Sequence, residues 1–228
     1  MMTNTFKYLA STIIALGLLG SSTSSYALFA IQGLYGQKTA KFSGALDGDD
    51  AEGTQMKFAA HIDPLPLPMI TLGFGLSFSL IDYDVNGQQG ISETVSSTTY
   101  AVPFTELTGY AAGPEIFFGV SIPTVDLMPY LRLTYAISAI TGKGDVSVTD
   151  GVTIDTETSV DFAMVGAGLN YGIGVAYSPL PLLAILLEYE IAEDDMVTPS
   201  VDQGDISVPE LEGKISGSSI LFGVQFGI

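Results

Sequence analysis

The sequence predicts an all-β fold: an eight-stranded antiparallel up-and-down transmembrane β-barrel. Three observations carry that expectation. Apolar side chains recur at every second position over eight stretches of the chain. The opposite face of those stretches is built largely from Gly, Ala, Ser and Thr. Finally, a chain that is 47% hydrophobic, with a mean hydropathy of +0.41, carries a formal net charge of −18. Apolar surface and charge must therefore occupy separate places.

Residues 1–27 read as a signal peptide. Lys7 is the first charge and the next is Lys38; between them lie the apolar run "YLASTIIALGLLG" and then "SSTSSYA". Ser25 and Ala27 supply the small residues of a cleavage site. The apolar run is shorter than the ~20 residues a spanning helix needs. Residues 28–228 then form one barrel domain. No later segment offers ~18 consecutive apolar residues, so no spanning helix is expected there. The chain has no cysteine, which removes disulfides and thiolate metal sites.

The strands follow from period-two alternation, which puts successive side chains on opposite faces. The first is expected over about 29–42, with Phe29, Ile31 and Tyr35 on one side. The second, about 54–63, sets Met56, Phe58, Ala60 and Ile62 against Gln55, Lys57, Ala59 and His61. The third, about 70–84, alternates Ile70, Leu72, Phe74, Leu76, Phe78 and Leu80 with Thr, Gly and Ser. The fourth, about 106–122, opposes Tyr110, Ile116, Phe118 and Val120 to Gly109, Gly113, Glu115 and Gly119. The fifth, about 128–141, opposes Leu131, Leu133, Tyr135 and Ile137 to Tyr130, Arg132, Thr134 and Ser138. The sixth, about 160–177, carries Val165, Leu169, Tyr171 and Ile173 against Gly166, Gly168, Gly172 and Gly174. The seventh, about 182–193, sets Leu183, Ile185, Leu187, Tyr189 and Ile191 against Ala184, Leu186, Glu188 and Glu190. The last runs through "SILFGVQFGI", residues 219–228.

Short proline-rich connections ("DPLPLP", "PTVDLMP", "SPLP") join strands two to three, four to five and six to seven. Proline ends pairing because it lacks the amide hydrogen. The other connections, about 43–53, 85–105, 142–158 and 194–213, are longer and polar. Short turns at one end and long loops at the other are the layout of an up-and-down outer-membrane barrel. Of the 25 Asp and Glu residues, Asp63 and Asp126 lie at the short-turn end, and Glu115, Glu188 and Glu190 lie on the small-residue face. The rest, from Asp47 to Glu212, lie in or beside the long connections. A soluble barrel would point its large apolar residues inward and cover its outside with charge. The glycine-rich face of the sixth strand suits the crowded interior of a narrow barrel instead.

This layout resembles the small eight-stranded outer-membrane proteins, the group that includes the OmpA barrel domain, OmpX and the opacity-type adhesins. The resemblance extends over essentially all of residues 28–228. It implies placement in a Gram-negative cell outer membrane, contact with outer-membrane lipids and lipopolysaccharide, and insertion by the outer-membrane assembly machinery. In that class the last strand carries an insertion signal of a polar residue, a glycine and two hydrophobic residues spaced by one. Gly223, Phe226 and Ile228 match it. Leu221 departs at the polar position, and Ile228 stands where the class usually ends on Phe.

No constellation for catalysis emerges. Barrel enzymes of this size that act on lipid A use a histidine near the outer mouth, whereas His61, the one histidine, falls at the short-turn end. A single histidine and no cysteine point to no metal and no cofactor. The inward face carries Lys57, Glu115, Arg132, Glu188 and Glu190. Buried charges need partners, so Arg132 is expected to pair with Glu115 or Glu188. "LDGDDAE" and "AEDD" lack the spacing of a calcium loop and predict at most weak divalent-cation binding at the acidic loops. The negative mouth repels polyanions, which excludes nucleic acid. The expected role is non-enzymatic, structural or surface-interacting, with a narrow pore or conduit for small or apolar molecules as the alternative.

Overall fold

The computed structural model describes residues 29–44, 46–47, 50–64, 69–85, 90–95, 98–122, 124–149, 154–198, 201–203, 206–208 and 211–227. The expected signal peptide and Ile228 lie outside the described residues.

Eight long strands form the wall: β1 (Phe29–Gly44), β2 (Ala51–Ile62), β3 (Ile70–Asp84), β4 (Thr98–Val120), β5 (Leu127–Thr149), β6 (Ile154–Leu180), β7 (Leu183–Thr198) and β8 (Leu211–Gly227). Each pairs antiparallel with the next in sequence, and β8 returns to β1 from Ala30–Gly227 to Gly44–Gly213. Closure removes the open edge that lipid could not hydrogen-bond. Short strands Leu46–Asp47 and Gly90–Val95 extend the β4 side, and Val201–Gln203 pairs with Ile206–Val208.

The bulky apolar side chains point away from the barrel axis. Leu76 is 66% exposed, Ile137 65% and Phe222 62%. Phe74, Leu169 and Phe226 are exposed as well, as are the outward tyrosines Tyr35, Tyr110, Tyr171, Tyr177 and Tyr189. In water this belt would cost tens of apolar side chains their burial. Against acyl chains it is the expected outer surface of a transmembrane barrel.

Above the belt the pattern turns over. On β3, even-numbered residues from Ile70 to Leu80 are apolar and face out. Then Ile81 and Tyr83 are buried inside while Asp82 and Asp84 face out. On β1, Phe42 is buried between exposed Lys41 and Ser43; on β8, Ile215 is buried between Lys214 and Ser216. These inward residues join Phe104, Leu107, Met164 and Met196 in one apolar cluster inside the long-loop end. Here water replaces lipid on the outside, so this part of the barrel has an apolar centre and a polar coat. Glu52, Asp82, Asp84, Glu106, Asp161, Glu193, Asp195 and Glu212 are all exposed on it. A second apolar cluster, including Leu34, Phe117, Tyr130, Leu186 and Leu221, lies toward the short-turn end.

The long polar connections expected from the sequence are therefore shorter than predicted. β4 starts at Thr98, β5 runs to Thr149, β6 starts at Ile154 and β8 at Leu211. Ladder hydrogen bonds continue where the outward apolar signal has ended, because pairing needs only a neighbouring strand.

The three short turns share a device. The residue just before each returning strand is left-handed without being glycine: Met69 (φ 68°), Asp126 (φ 52°) and Leu182 (φ 69°). Each turns its carbonyl sideways to accept an amide from the next strand over: Ser121, Ser178 and Gly227, at 2.7, 2.9 and 3.0 Å. These bonds offset a backbone strain of order 1–3 kcal/mol per residue.

Replacing Leu76 with Arg, in the middle of the belt, is expected to destabilise the barrel in lipid vesicles by about 2–4 kcal/mol. Replacing Gln37 with Arg, one step above the belt, is expected to cost no more than about 1 kcal/mol. Reversible urea unfolding measures both; equal costs would contradict the position of the belt.

Candidate functional site

The middle of the lumen is a layer of charge. Lys57 on β2, Glu115 on β4, Arg132 on β5, and Glu188 and Glu190 on β7 all turn inward. Their side chains are 0–2% exposed. Each strand delivers its charge by parity, since an Arg or Lys facing lipid at mid-depth would cost about 2–4 kcal/mol.

The charges form a continuous chain. Lys57 Nζ pairs with Glu190 and lies 3.3 Å from Glu188 Oε1. Glu188 Oε2 lies 3.0 Å from Arg132 Nε and accepts the Tyr130 hydroxyl at 2.9 Å. Arg132 Nη1 donates to both Glu115 oxygens, at 3.1 and 3.0 Å. Arg132 Nη2 reaches Gln32 on β1, the opposite side of the ring, and Gln32 donates to Gln225 at 2.7 Å. Gln55 donates to Glu190 at 2.9 Å and accepts from Ser219 at 2.6 Å. Thus Arg132 meets both of the glutamates considered for it. Lys38, also buried, acts electrostatically on Glu190 and Asp194 from above.

Glycines on β6 make the chain possible. In the register, Gly172 lies between Arg132 and Glu190, and Gly174 between Tyr130 and Glu188. A Cβ on Gly174 would run into the Tyr130 ring, and one on Gly172 would sit 3.0 Å from Glu188 Oε1 and 3.2 Å from Arg132 Cβ. The missing side chains of β6 are filled by those of β5 and β7, so β5 and β7 meet across it.

Below the charges, aromatic rings are stacked. His61 stacks on Phe117 and Phe117 on Tyr130, each at 4.8 Å between centroids, and the Arg132 guanidinium lies 5.7 Å from both the Phe117 and Tyr130 centroids. His61 is thus held at the short-turn end, away from the acidic rim. Of the insertion-signal residues, Gly223 pairs with Leu34 and Leu186, and Phe226 faces out at 46% exposure; Ile228 lies outside the described residues.

Lys38, Gln32 and Asp194 also belong to the polar lumen and were not anticipated. Lys38 and Gln32 share parity opposite to Phe29, Ile31 and Tyr35, so their placement was readable. Asp194 falls in what the sequence suggested was a loop; β7 continues through it, with Asp194 inward and Glu193 and Asp195 outward.

No protein-family model matches the chain, and no curated protein matches it. Among solved structures, Neisserial surface protein A aligns with 88% of this chain and 97% of its own, at 14% identity and a TM-score of 0.48. The outer membrane protein OprG from Pseudomonas aeruginosa aligns with 88% and 96%, at 9% identity and a TM-score of 0.44. The outer membrane protease OmpT from Escherichia coli aligns with 91% and 99%, at 9% identity and a TM-score of 0.43. OprG and OmpT are outer-membrane proteins. The eight-strand assignment of this chain rests on its own pairing and exposure.

Removing one partner of a buried pair strands the other charge, at a cost of about 3–5 kcal/mol. Arg132→Ala is expected to lose that much stability. Tyr130→Phe, which deletes one hydrogen bond to a carboxylate, is expected to lose about 1.5–3 kcal/mol. Urea unfolding in vesicles checks both, and an unchanged midpoint for Arg132→Ala would show that the network contributes nothing.

Proposed function

We propose that this chain is a non-conducting, non-enzymatic outer-membrane barrel that carries an acidic, water-facing rim beyond the lipid. The observation behind this reading is the closed lumen. Five charged side chains at mid-depth are ion-paired and 0–2% exposed, with apolar clusters toward either end. An ion entering this layer would have to displace Phe104, Met164 and Met196 and then break a paired charge.

The rim is where contact with the surroundings concentrates. Its exposed carboxylates outnumber the lysines beside them, Lys41, Lys143 and Lys214, each of which is paired with an acid at 3.4, 3.1 and 2.9 Å. This supports a role in surface interaction, in loose association with divalent cations that bridge lipopolysaccharide phosphates, and in exclusion of polyanions such as nucleic acid. The Gly223, Phe226 and Ile228 pattern supports recognition by the assembly machinery after removal of residues 1–27. A catalytic reading built on histidine would need it near the rim, and His61, the one histidine of the sequence, sits at the other end.

Protein refolded into planar bilayers is expected to give no conductance steps above the lipid background in 1 M salt, about ten times the ionic strength at which the screening length is ~10 Å. Regular steps, or swelling of proteoliposomes in sugar solutions, would favour the conduit instead.

A further inference from the structure

Among the described residues, seven of the eight ladders cross the apolar belt without a missing pair. The eighth, between β4 and β5, does not. Its pairing reaches Ala112–Ile137, skips two residues on each strand, and resumes in the same register at Glu115–Thr134. The skipped residues are Gly113 and Pro114 on β4 and Tyr135 and Ala136 on β5.

Pro114 accounts for the gap. In an antiparallel ladder, every second facing pair exchanges two N–H···O=C bonds. The register makes Pro114 and Tyr135 such a pair, and proline has no N–H to give. The Tyr135 carbonyl therefore loses its donor from β4. It lies against Gly113, where a Cβ would collide with it. On the other side of β4 the ladder is intact, with Pro114 opposite Leu76. Pro114 is exposed to lipid in the middle of the belt, where no water replaces the lost bond. The other strand prolines stand elsewhere: Pro103 toward the long-loop end, Pro129 and Pro179 beside the short turns.

What crosses the seam instead lies inside the barrel. Glu115, the residue after Pro114, accepts from Arg132 Nη1 at 3.1 and 3.0 Å and from the Thr134 hydroxyl at 3.4 Å. Both donors are on β5. Above the gap the inward pair is Ala111 and Ser138, and the alanine offers nothing to bond. Ala136, at the gap itself, is 0% exposed. Hydrogen bonds to an ionised group are about twice as strong as neutral ones, so the Glu115 bonds offset a missing ladder bond one residue away. We propose that β4 and β5 part first at Pro114 when the wall opens, and that Glu115, held by Arg132 and Thr134, is the clasp that keeps this seam shut. The opening is sideways, toward lipid; the apolar clusters still close the lumen toward either end.

Thiol modification in lipid vesicles tests this, because the natural chain has no cysteine. Ala136→Cys places a thiol at the seam. Ala59→Cys is the reference: Ala59 is 3% exposed, on β2 between two complete ladders. N-ethylmaleimide, which enters membranes, is the probe. Glu115→Gln is expected to speed modification at Ala136→Cys at least fivefold and to leave Ala59→Cys within twofold of its own rate. Adding Pro114→Ala, which restores the N–H, is expected to remove most of that acceleration. Glu190→Gln, which changes the same charge layer away from the seam, is expected to leave the Ala136→Cys thiol slow. If Glu115→Gln does not run as a folded barrel on an unboiled gel, Thr134→Val takes its place, with an expected acceleration of at least twofold that Pro114→Ala again reverses. No acceleration in the folded variant would overturn the inference. So would equal acceleration at both thiols, an equal effect of Glu190→Gln, or an acceleration that Pro114→Ala leaves intact.

Discussion

A strand that leaves a bilayer changes solvent on its outer side within one or two residues. That single constraint organises this barrel. Below the boundary the outside is hydrocarbon, so Phe74, Leu76 and Phe78 face out and the inside takes whatever is small or charged. Above it the outside is water, so Asp82 and Asp84 face out and Ile81 and Tyr83 go in. The backbone does not change; the parity of apolar residues does. The reversal follows a line around the ring, from Tyr35 and Met56 through Leu80 and Tyr110 on neighbouring strands. One closed ladder thus holds two kinds of barrel, one inverted for lipid and one with an ordinary apolar centre.

The charge layer is a consequence of the lower half. An eight-stranded ring has little interior volume, and its outer face leaves no place for a charge at mid-depth. Lys57, Glu115, Arg132, Glu188 and Glu190 can be accommodated only at the centre, and only if paired. Pairing across β6 in turn needs strand positions without side chains, and Gly172 and Gly174 provide them. The glycines of β6 and the large residues of β5 and β7 are thus parts of one arrangement. A buried network of this kind is not automatically more stable than a well-packed apolar centre. What it fixes is register: a slip of one residue on β5 would turn Arg132 to the lipid.

Much of this was legible in the sequence. The belt was readable because outward apolar residues at period two are a strong signal when repeated over eight strands, and the inward position of Arg132 and the glutamates followed from the same parity. Two things were hidden. The upper barrel was hidden because its outward residues are polar, so the segments 98–105, 142–149 and 194–198 read as loops. The inverted parity was present in Ile81–Asp82–Tyr83–Asp84, but it shows only when apolar and polar positions are followed together past Leu80. The distances that link Arg132 to Gln32 across the ring depend on how strands curve around one another. Periodicity along one strand carries no information about that.

The reversal at Leu80 can be read directly, because the natural chain has no cysteine and takes single spin labels without background. Labels placed one at a time from Leu72 to Asp84 in a bilayer are predicted to meet dissolved oxygen at Leu72, Phe74, Leu76, Phe78 and Leu80. At Asp82 and Asp84 they are predicted to meet a water-soluble nickel reagent instead, and at Ile81 and Tyr83 to be shielded from both. If labels at Leu76 and Phe78 were shielded from oxygen while those at Ser77 and Ser79 met it, the barrel would be turned the other way and the account would be wrong.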